Sequence, residues 1–183
     1  MKLNKLRHII CIGIIILPLK PINCNAQNHS IGVNMALLAV GSINIELSKA
    51  FSKKVTAHVP ISWNPITFSN NKKIKHIMLQ PGIRWWQWHS YSGYFGGINI
   101  TIAQFNTGIK ALRYYGKGAG VTISAGYAKM LSKRWNLEAE AGFYSGWIKY
   151  NKYQRKHCGD YEGNWSGIKL FPAKISLSLI YVM

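Results

Sequence analysis

The chain has 183 residues, a length typical of a single domain, and 48% of them are hydrophobic. Its 23 basic residues outnumber 5 acidic ones, which gives a formal net charge of +18 and indicates an anionic partner. Beyond an apolar run near the start, no stretch reaches the about 20 apolar residues of a membrane-spanning helix, which argues against helical membrane spans.

The first 26 residues have the three parts of a secretory signal peptide. Two lysines and an arginine precede an apolar run from Ile9 to Leu17, and small residues end the segment at Ala26. The run is too short to cross a bilayer as a helix. We therefore predict a cleaved signal peptide over residues 1–26 and a mature domain over residues 27–183.

Cysteine usage bears on both anchoring and stability. Cys24 could instead accept a lipid anchor, but Asn23 fits poorly the small residue that a lipoprotein signal places directly before the cysteine. Cleavage removes Cys11 and Cys24 and leaves Cys158 alone, so the mature domain cannot form an internal disulfide. A closed ladder of backbone hydrogen bonds is another source of stability for an exported protein.

The charge of the mature domain limits the class of partner. The signal segment carries four of the 23 basic residues and none of the acidic ones, so the domain keeps a formal charge of about +14. Because the chain is predicted to be exported, we do not expect nucleic acid to be the partner of this charge. Lipid phosphates, surface polysaccharide or an acidic protein fit it better.

The mature chain is dominated by period-2 alternation of apolar and polar residues, the pattern of a strand with two unlike faces. Most of the alternating segments have about the 9–11 residues that a tilted strand needs to cross a membrane. We predict eight strands, over residues 30–39, 42–51, 54–63, 75–88, 93–105, 117–128, 135–149 and 170–183.

The connectors alternate in length, which is the pattern of outer-membrane β-barrels. Residues 52–53, 89–92 and 129–134 are short turns, whereas 64–74, 106–116 and 151–169 are long and basic; the tight 40–41 is an exception. Aromatic residues cluster near both ends of the strands, as expected of two girdles at the lipid headgroups. They include Trp85, Trp86, Trp88, Tyr91, Tyr94, Tyr127, Trp135 and Tyr181 near the short turns, and Trp63, Phe105, Tyr114, Tyr115, Trp147, Tyr150, Trp165 and Phe171 near the long loops.

These patterns predict an all-β fold, an eight-stranded antiparallel up-and-down transmembrane β-barrel in the bacterial outer membrane. The alternative is a soluble barrel that binds lipid inside and has its apolar face inward. The second face of the segments is rich in Gly, Ser, Thr and Asn, which suits a narrow interior better than a soluble surface. Pro60 and Pro81 each remove a ladder donor, so we expect a bulge or an open seam between their strands.

Several segments resemble a domain-of-unknown-function family of small exported proteins from Bacteroides-like bacteria, within the outer-membrane β-barrel superfamily. Gln80–Trp86 (QPGIRWW) is similar to a Gln-Pro-x-x-Arg-Tyr-Trp signature of that family. Residues 64–68 and 71–76 resemble the segment before it, and Leu131–Glu138 and Phe171–Leu177 match later segments in the same order. The resemblance therefore spans most of the mature chain.

The resemblance implies an outer-membrane-type β-barrel with no established activity. Some members of the family are associated with surface-fimbria genes, which implies a fimbria-associated role as one candidate. Members often carry paired cysteines in the last long loop, but this chain has only Cys158 there, so a loop disulfide or metal site does not carry over.

Five charged residues fall on the polar face of the predicted strands: Glu46, Arg84, Glu138, Glu140 and Lys174. We interpret them as a structural charge network that fills the barrel interior, because unpaired charge there would be costly. An ion path or proton relay is the alternative, but an eight-stranded barrel leaves little room for a pore.

The long loops are the predicted interaction surface, because basic segments at a membrane face contact phosphorylated lipid. The alternative is that these charges only keep the loops soluble and anchor the protein at the lipid headgroups. We predict a monomer whose partners are outer-membrane lipid, including lipopolysaccharide, or a surface protein or glycan, and not nucleic acid. The basic residues of this predicted interaction surface are Lys72, Lys73, Lys75, Lys110, Arg113, Lys117, Lys152, Arg155 and Lys156.

Catalysis and metal binding find little support in the sequence. Some small outer-membrane barrels modify lipid with Ser, His and an acid, and His58, His76, His89 and His157 are candidate bases, but none has a telling spacing. His157 and Cys158 lack a second pair of metal ligands nearby. We predict a non-enzymatic protein without cofactor or metal, in a structural or surface-interaction role; a lipid-modifying barrel enzyme and a lipocalin-like lipid carrier stay open.

Overall fold

The computed structural model describes residues 28–67, 72–108, 111–154 and 160–183. The predicted signal peptide and the anchor alternative at Cys24 therefore lie outside the described residues. Within the described ranges the chain forms nine strands and one short helix. In chain order these are β1 (His29–Asn34), α1 (Met35–Ala39), β2 (Ile43–Ser52), β3 (Val55–Asn64), β4 (Lys73–Leu79), β5 (Gly82–Trp86), β6 (Gly93–Gly108), β7 (Leu112–Met130), β8 (Trp135–Gln154) and β9 (Tyr161–Val182).

The strands form one antiparallel sheet that closes on itself. Each strand position pairs with the next in sequence, and β1 also pairs with β9. β4 and β5 share one position, because both pair with β3 on one side and with β6 on the other. The described residues thus form a ring of eight strand positions, which confirms the prediction of an all-β antiparallel fold.

The two ends of the ring differ. The near end holds the short turns after β2, β5 and β7 together with the start of β1 and the end of β9. The far end holds α1, the ends of β6 and β8, and the starts of β7 and β9. Because β6 to β9 are the longest strands, the wall of the ring rises highest on their side.

The first predicted strand, over residues 30–39, is wrong in its second half. β1 ends at Asn34 and α1 follows at once. Oδ1 of Asn34 accepts hydrogen bonds from the N–H groups of Ala36 (3.0 Å) and Leu37 (3.3 Å), as an N-cap does. The run Met-Ala-Leu-Leu-Ala is made of strong helix formers, so it becomes helical once the chain leaves the ladder.

The long loops predicted at 106–116 and 151–169 are also wrong, since most of their residues are in strands. β6 and β7 have 16 and 19 residues, and β8 and β9 have 20 and 22. Aromatic pairs support the extension, with ring centroids of Tyr114 and Tyr150 5.4 Å apart and those of Tyr153 and Tyr161 5.7 Å apart. Most side chains on both faces are polar or aromatic there, so the period-2 signal is lost.

Pro60 and Pro81 interrupt the ladder without opening it. The pairing of β3 with β4 and then with β5 keeps one register across the gap between them. The carbonyl of Pro60 accepts a hydrogen bond from the N–H of Gln80 (3.0 Å), and that of Pro81 accepts one from the N–H of Ile100 (2.8 Å). The expected bulge is not found there; each proline costs only the donor that it lacks.

The ring has a polar inner face and an apolar outer face, because side chains alternate between the two along each strand. The buried inner side chains include Ser48, Thr56, His58, Asn99, Thr101, Thr122, Ser124 and Asn136. On the outer face, Ile98, Ile123 and Phe143 form one row across β6, β7 and β8 and are each more than 60% exposed. No helix in the described part of the chain is long and apolar enough to cross a membrane.

An apolar cluster fills the inner face near the short turns. It contains Trp86, Tyr91, Phe95, Ala128, Ile180 and Val182. Trp86 and Tyr91 are therefore wrong as members of an outward girdle, since they are 0% and 3% exposed. Nε1 of Trp86 donates to Oγ1 of Thr56 (3.0 Å), and the Tyr91 hydroxyl lies 3.2 Å from Oγ of Ser48. Burial raises the pKa of that hydroxyl above its usual range.

Candidate functional site

The structure brings together all five charged residues predicted for the interior. Glu46 lies on β2, Arg84 on β5, Glu138 and Glu140 on β8, and Lys174 on β9. Each faces the inside of the ring, and none is more than 8% exposed. Residues far apart in sequence thus converge on one layer, which we call the charge cluster.

Arg84 is the centre of the charge cluster. Its Nη1 and Nη2 donate to the two oxygens of Glu46 at 2.5 and 3.2 Å, and Nη2 also donates to Oε2 of Glu140 at 2.8 Å. Its Cζ stands 5.0 Å from the ring centroid of Phe95. Nζ of Lys174 lies 2.6 Å from Oε1 of Glu140. The planar fork of arginine suits this multiple contact in a way that an ammonium group does not.

Glu138 is the least well paired member of the charge cluster. Its Oε2 lies 3.4 Å from Nη1 of Arg84, and neither of its carboxylate oxygens has a hydrogen-bond partner in the described residues. Three carboxyl groups face two cations, so full ionisation leaves one excess negative charge in a buried layer. Glu138 is therefore the carboxylate whose charge contributes least to the cluster.

Two glycines, on β6 and β8, leave room for the side chain of Ser124, and the one on β6 also borders Arg84. A Cβ on Gly97 of β6 would lie 2.8 Å from Oγ of Ser124 and 3.5 Å from Cγ of Arg84. A Cβ on Gly142 of β8 would lie 2.8 Å from Cβ of Ser124. The inner wall is thus closely packed at this level.

A second polar layer, which the sequence reasoning did not identify, crosses the inner face. Nε2 of His58 and Oδ1 of Asn99 are 2.6 Å apart, and Nδ2 of Asn99 donates to Oγ of Ser124 at 3.3 Å. The hydroxyls of Thr101 and Thr122 are 2.7 Å apart. The alternation of β6 and β7 was the available signal, because it places these side chains on the same face as the charges.

The cavity inside the ring beside the charge cluster is small. A cavity of about 50 Å³ lies between α1 and the charge cluster, lined in part by Asn34, Asn44, Glu46, Ser62 and Lys174. This volume holds only a few water molecules. Small-molecule sites are typically about 300–1,000 Å³, so this cavity does not have the size of a substrate site.

The candidate catalytic bases lie apart from one another. Nε2 of His58 contacts Asn99, and Nδ1 of His76 lies 3.3 Å from the carbonyl oxygen of Ile74. His89 lies in the turn before β6, and His157 and Cys158 are outside the described residues. In the described ranges no serine is hydrogen-bonded to a histidine, and no three His, Cys, Asp or Glu residues could hold a metal ion.

The predicted basic loop residues occupy several places. Lys73, Arg113 and Lys152 were expected in loops, which is wrong, because the extended ladder places them on β4, β7 and β8. Cζ of Arg113 stands 4.9 Å from the ring centroid of Tyr153. Lys72 precedes β4; Lys75 and Lys117 lie on β4 and β7; Lys110, Arg155 and Lys156 lie outside the described residues.

Aromatic rings and one lysine line the inner side of the far end. The rings of Tyr150 and Trp165 are stacked at 5.5 Å with an interplanar angle of 24°. Nζ of Lys169 lies 4.4 Å from the Trp165 ring centroid and donates to the Tyr150 hydroxyl at 3.2 Å. Sequence reasoning placed Lys169 in a loop and did not single it out. These contacts join β8 and β9 on the inner side of the far end.

Comparison with known proteins gives a family and no activity. A family model described as "Protein of unknown function (DUF3575)" matches residues 12–183. No curated protein matches the chain. The chain therefore belongs to the DUF3575 family, which confirms the expected membership in a domain family of unknown function.

Proposed function

We propose that this member of the family is a monomeric transmembrane β-barrel of the bacterial outer membrane, without enzymatic activity, in a structural or surface-interaction role. The observation that carries the proposal is the partition of side chains, with charge inside the ring and large apolar side chains outside. Soluble monomers rarely expose contiguous apolar surface on this scale. A soluble lipid carrier would have the opposite arrangement, with its apolar face inward.

The height of the apolar band supports a bilayer setting. On β7, outward residues run from Tyr127 through Ile123 to Lys117, which is ten steps along the strand. At about 3.3 Å per residue and a tilt of about 40°, this span rises about 25 Å. The apolar band of outer-membrane barrels is about 25 Å tall.

Aromatic side chains at both limits of the band support the same setting. At the near end, the ring centroids of Tyr94 and Tyr127 are 4.8 Å apart, and those of Trp135 and Tyr181 are 5.0 Å apart. At the far end, Trp63 and Trp147 are about half exposed, at 51% and 55%. These rings suit the headgroup level of a membrane.

The filled interior favours a structural role over conduction. The charge cluster and the apolar cluster of Trp86 and Phe95 occupy successive levels of the ring, and the cavity beside them is about 50 Å³. The far end offers a surface for recognition, where aromatic and basic side chains stand on β8 and β9. We propose that a surface protein or glycan, or a fimbrial component, contacts the chain there.

The test of the membrane proposal is a spin-label experiment in lipid vesicles, after membrane fractionation and heat-modifiable gel migration have been measured. One nitroxide is placed at Ile123→Cys in the apolar band and another at Ser132→Cys in a near-end turn, with native cysteines replaced by serine. We expect oxygen, and not a water-soluble nickel complex, to relax the label at position 123. The label at position 132 should show the reverse.

Two results would remove the proposal. The first is recovery of the native protein in the soluble fraction. The second is equal nickel accessibility at both positions, since this would mean that the band faces water.

A further inference from the structure

Two lysines lie directly opposite each other on the outer face of the ring, towards the far end. Lys117 on β7 is in register with Lys149 on β8, and both side chains are exposed. Like charges placed opposite each other on paired strands repel. In the described ranges neither has an acidic partner, because all four ion pairs there belong to the charge cluster. The two ammonium groups therefore form a double positive charge without a protein counter-ion.

An apolar groove of about 600 Å³ adjoins this lysine pair. In register, Ala119 and Trp147 lie two residues from Lys117 and Lys149, on the side towards the middle of the band. Ala119 is small, and larger side chains flank it, so the surface is concave there. The groove is lined by Ile77, Leu79, Ile102, Ala119 and Trp147, with the two lysines at its edge.

A second depression of about 400 Å³ continues the groove towards β3. It shares Ile77 and Gln104 with the first, and it adds Lys75 and Tyr115. Nε2 of Gln104 donates to the Tyr115 hydroxyl at 3.0 Å, which leaves that hydroxyl able to donate to a ligand. A third cation and a hydroxyl donor thus line the depression that continues the groove.

We propose that Lys117 and Lys149 bind the phosphate of an anionic membrane lipid whose acyl chain lies in the adjoining groove. The site combines two chemistries in the order that such a lipid has, an anionic headgroup followed by hydrocarbon. Ammonium groups bind phosphate as point charges, and this pair has no competing carboxylate. The inference rests on the proposed membrane location, since only there does the groove meet acyl chains.

The experiment measures lipid preference by native mass spectrometry. The full chain is purified in detergent with equal amounts of phosphatidylglycerol and phosphatidylcholine that have the same acyl chains. The wild type should retain phosphatidylglycerol in preference. In the double variant Lys117→Gln, Lys149→Gln, this preference should fall by a factor of about five to thirty. Each basic residue near an anionic surface contributes a factor of about five. Excess inorganic phosphate should not displace the lipid.

The matched control is Lys49→Gln with Lys129→Gln, which removes two outward strand lysines at the near end. This control should keep the wild-type preference. An equal loss in both double variants, or no preference in the wild type, would overturn the lipid site. Displacement by inorganic phosphate would reassign it to free phosphate. If the lipid site is overturned or reassigned, heat-modifiable migration and vesicle insertion still test the membrane proposal separately. Failure of the protein to insert into vesicles would overturn both the membrane proposal and the lipid site.

Discussion

At the scale of single residues, Arg84 has the strongest structural consequences. Its guanidinium meets carboxylates from β2 and β8 and lies over the ring of Phe95 on β6. One side chain therefore ties together strands from opposite parts of the sequence. Removing it would leave three buried carboxyl groups facing Lys174 alone.

We predict that Arg84→Ala lowers the stability of the folded ring by about 3–5 kcal/mol, the usual cost of removing one partner of a buried ion pair. The measurement is the temperature at which the folded band converts to the unfolded band on gels. The conversion temperature of Arg84→Lys should lie between those of Arg84→Ala and the wild type. Lysine keeps the positive charge but lacks the planar guanidinium group that contacts several carboxylates. Unchanged conversion in Arg84→Ala would show that the charge cluster does not support the fold.

The three carboxylates should respond differently to neutralisation. Glu140 accepts from Arg84 at 2.8 Å and lies 2.6 Å from Lys174, whereas Glu138 has only a 3.4 Å contact. We predict that Glu140→Gln destabilises the fold and that Glu138→Gln is neutral or stabilising, because it removes the excess buried charge. Urea unfolding of the two isosteric variants compares them directly. The opposite ranking would contradict this account of the cluster.

At the scale of elements, each strand has one face for the interior and one for the outside. β7 shows this best, with Thr122 and Ser124 buried and Val121 and Ile123 exposed. The alternation was readable from the sequence, and so was the near end of most strands. The tops of β6 to β9 were not readable, because Tyr114, Tyr150 and Trp165 replace the alternation with cross-strand aromatic contacts.

Substitution of an outward residue tests which solvent the strands face. We predict that Ile123→Lys destabilises the protein by about 2–4 kcal/mol, the cost of a lysine on the lipid face near the bilayer midplane. Ser132→Lys, in a near-end turn, should change stability by less than about 0.5 kcal/mol. Unfolding in vesicles gives both values. A neutral Ile123→Lys would mean that the outer face is hydrated.

At the scale of the whole molecule, closure of the ring depends on the pairing of β1 with β9, the two strands furthest apart in sequence. β1 contributes only six residues, and β9 contributes 22. The backbone groups of a closed sheet have no free edge, which suits both solubility in lipid and resistance to edge-to-edge aggregation. This closing seam is short, with five paired residues, and it is the most informative pairing to test.

A disulfide across the seam should form without strain. Val33 and Leu179 are direct partners, and such pairs have Cα atoms about 4.5–5.5 Å apart, within disulfide range. In a background with native cysteines replaced by serine, we predict that Val33→Cys with Leu179→Cys crosslinks on mild oxidation, seen as a mobility shift that reductant reverses. Val33→Cys with Leu177→Cys, two residues out of register, should crosslink poorly. Equal yields would contradict the seam register.

The sequence by itself determined that the chain is made of antiparallel strands with one polar face and one apolar face, because alternation is a local property of the backbone. It also determined that Arg84 and its partners face the interior, since all five charges fall on the polar face. Only the tertiary structure decided which carboxylate pairs with Arg84, that Trp86 turns inward, and that Lys117 lies opposite Lys149. These three features depend on the register between strands. Side-chain packing across the ring selects that register, and no single segment of the sequence encodes it.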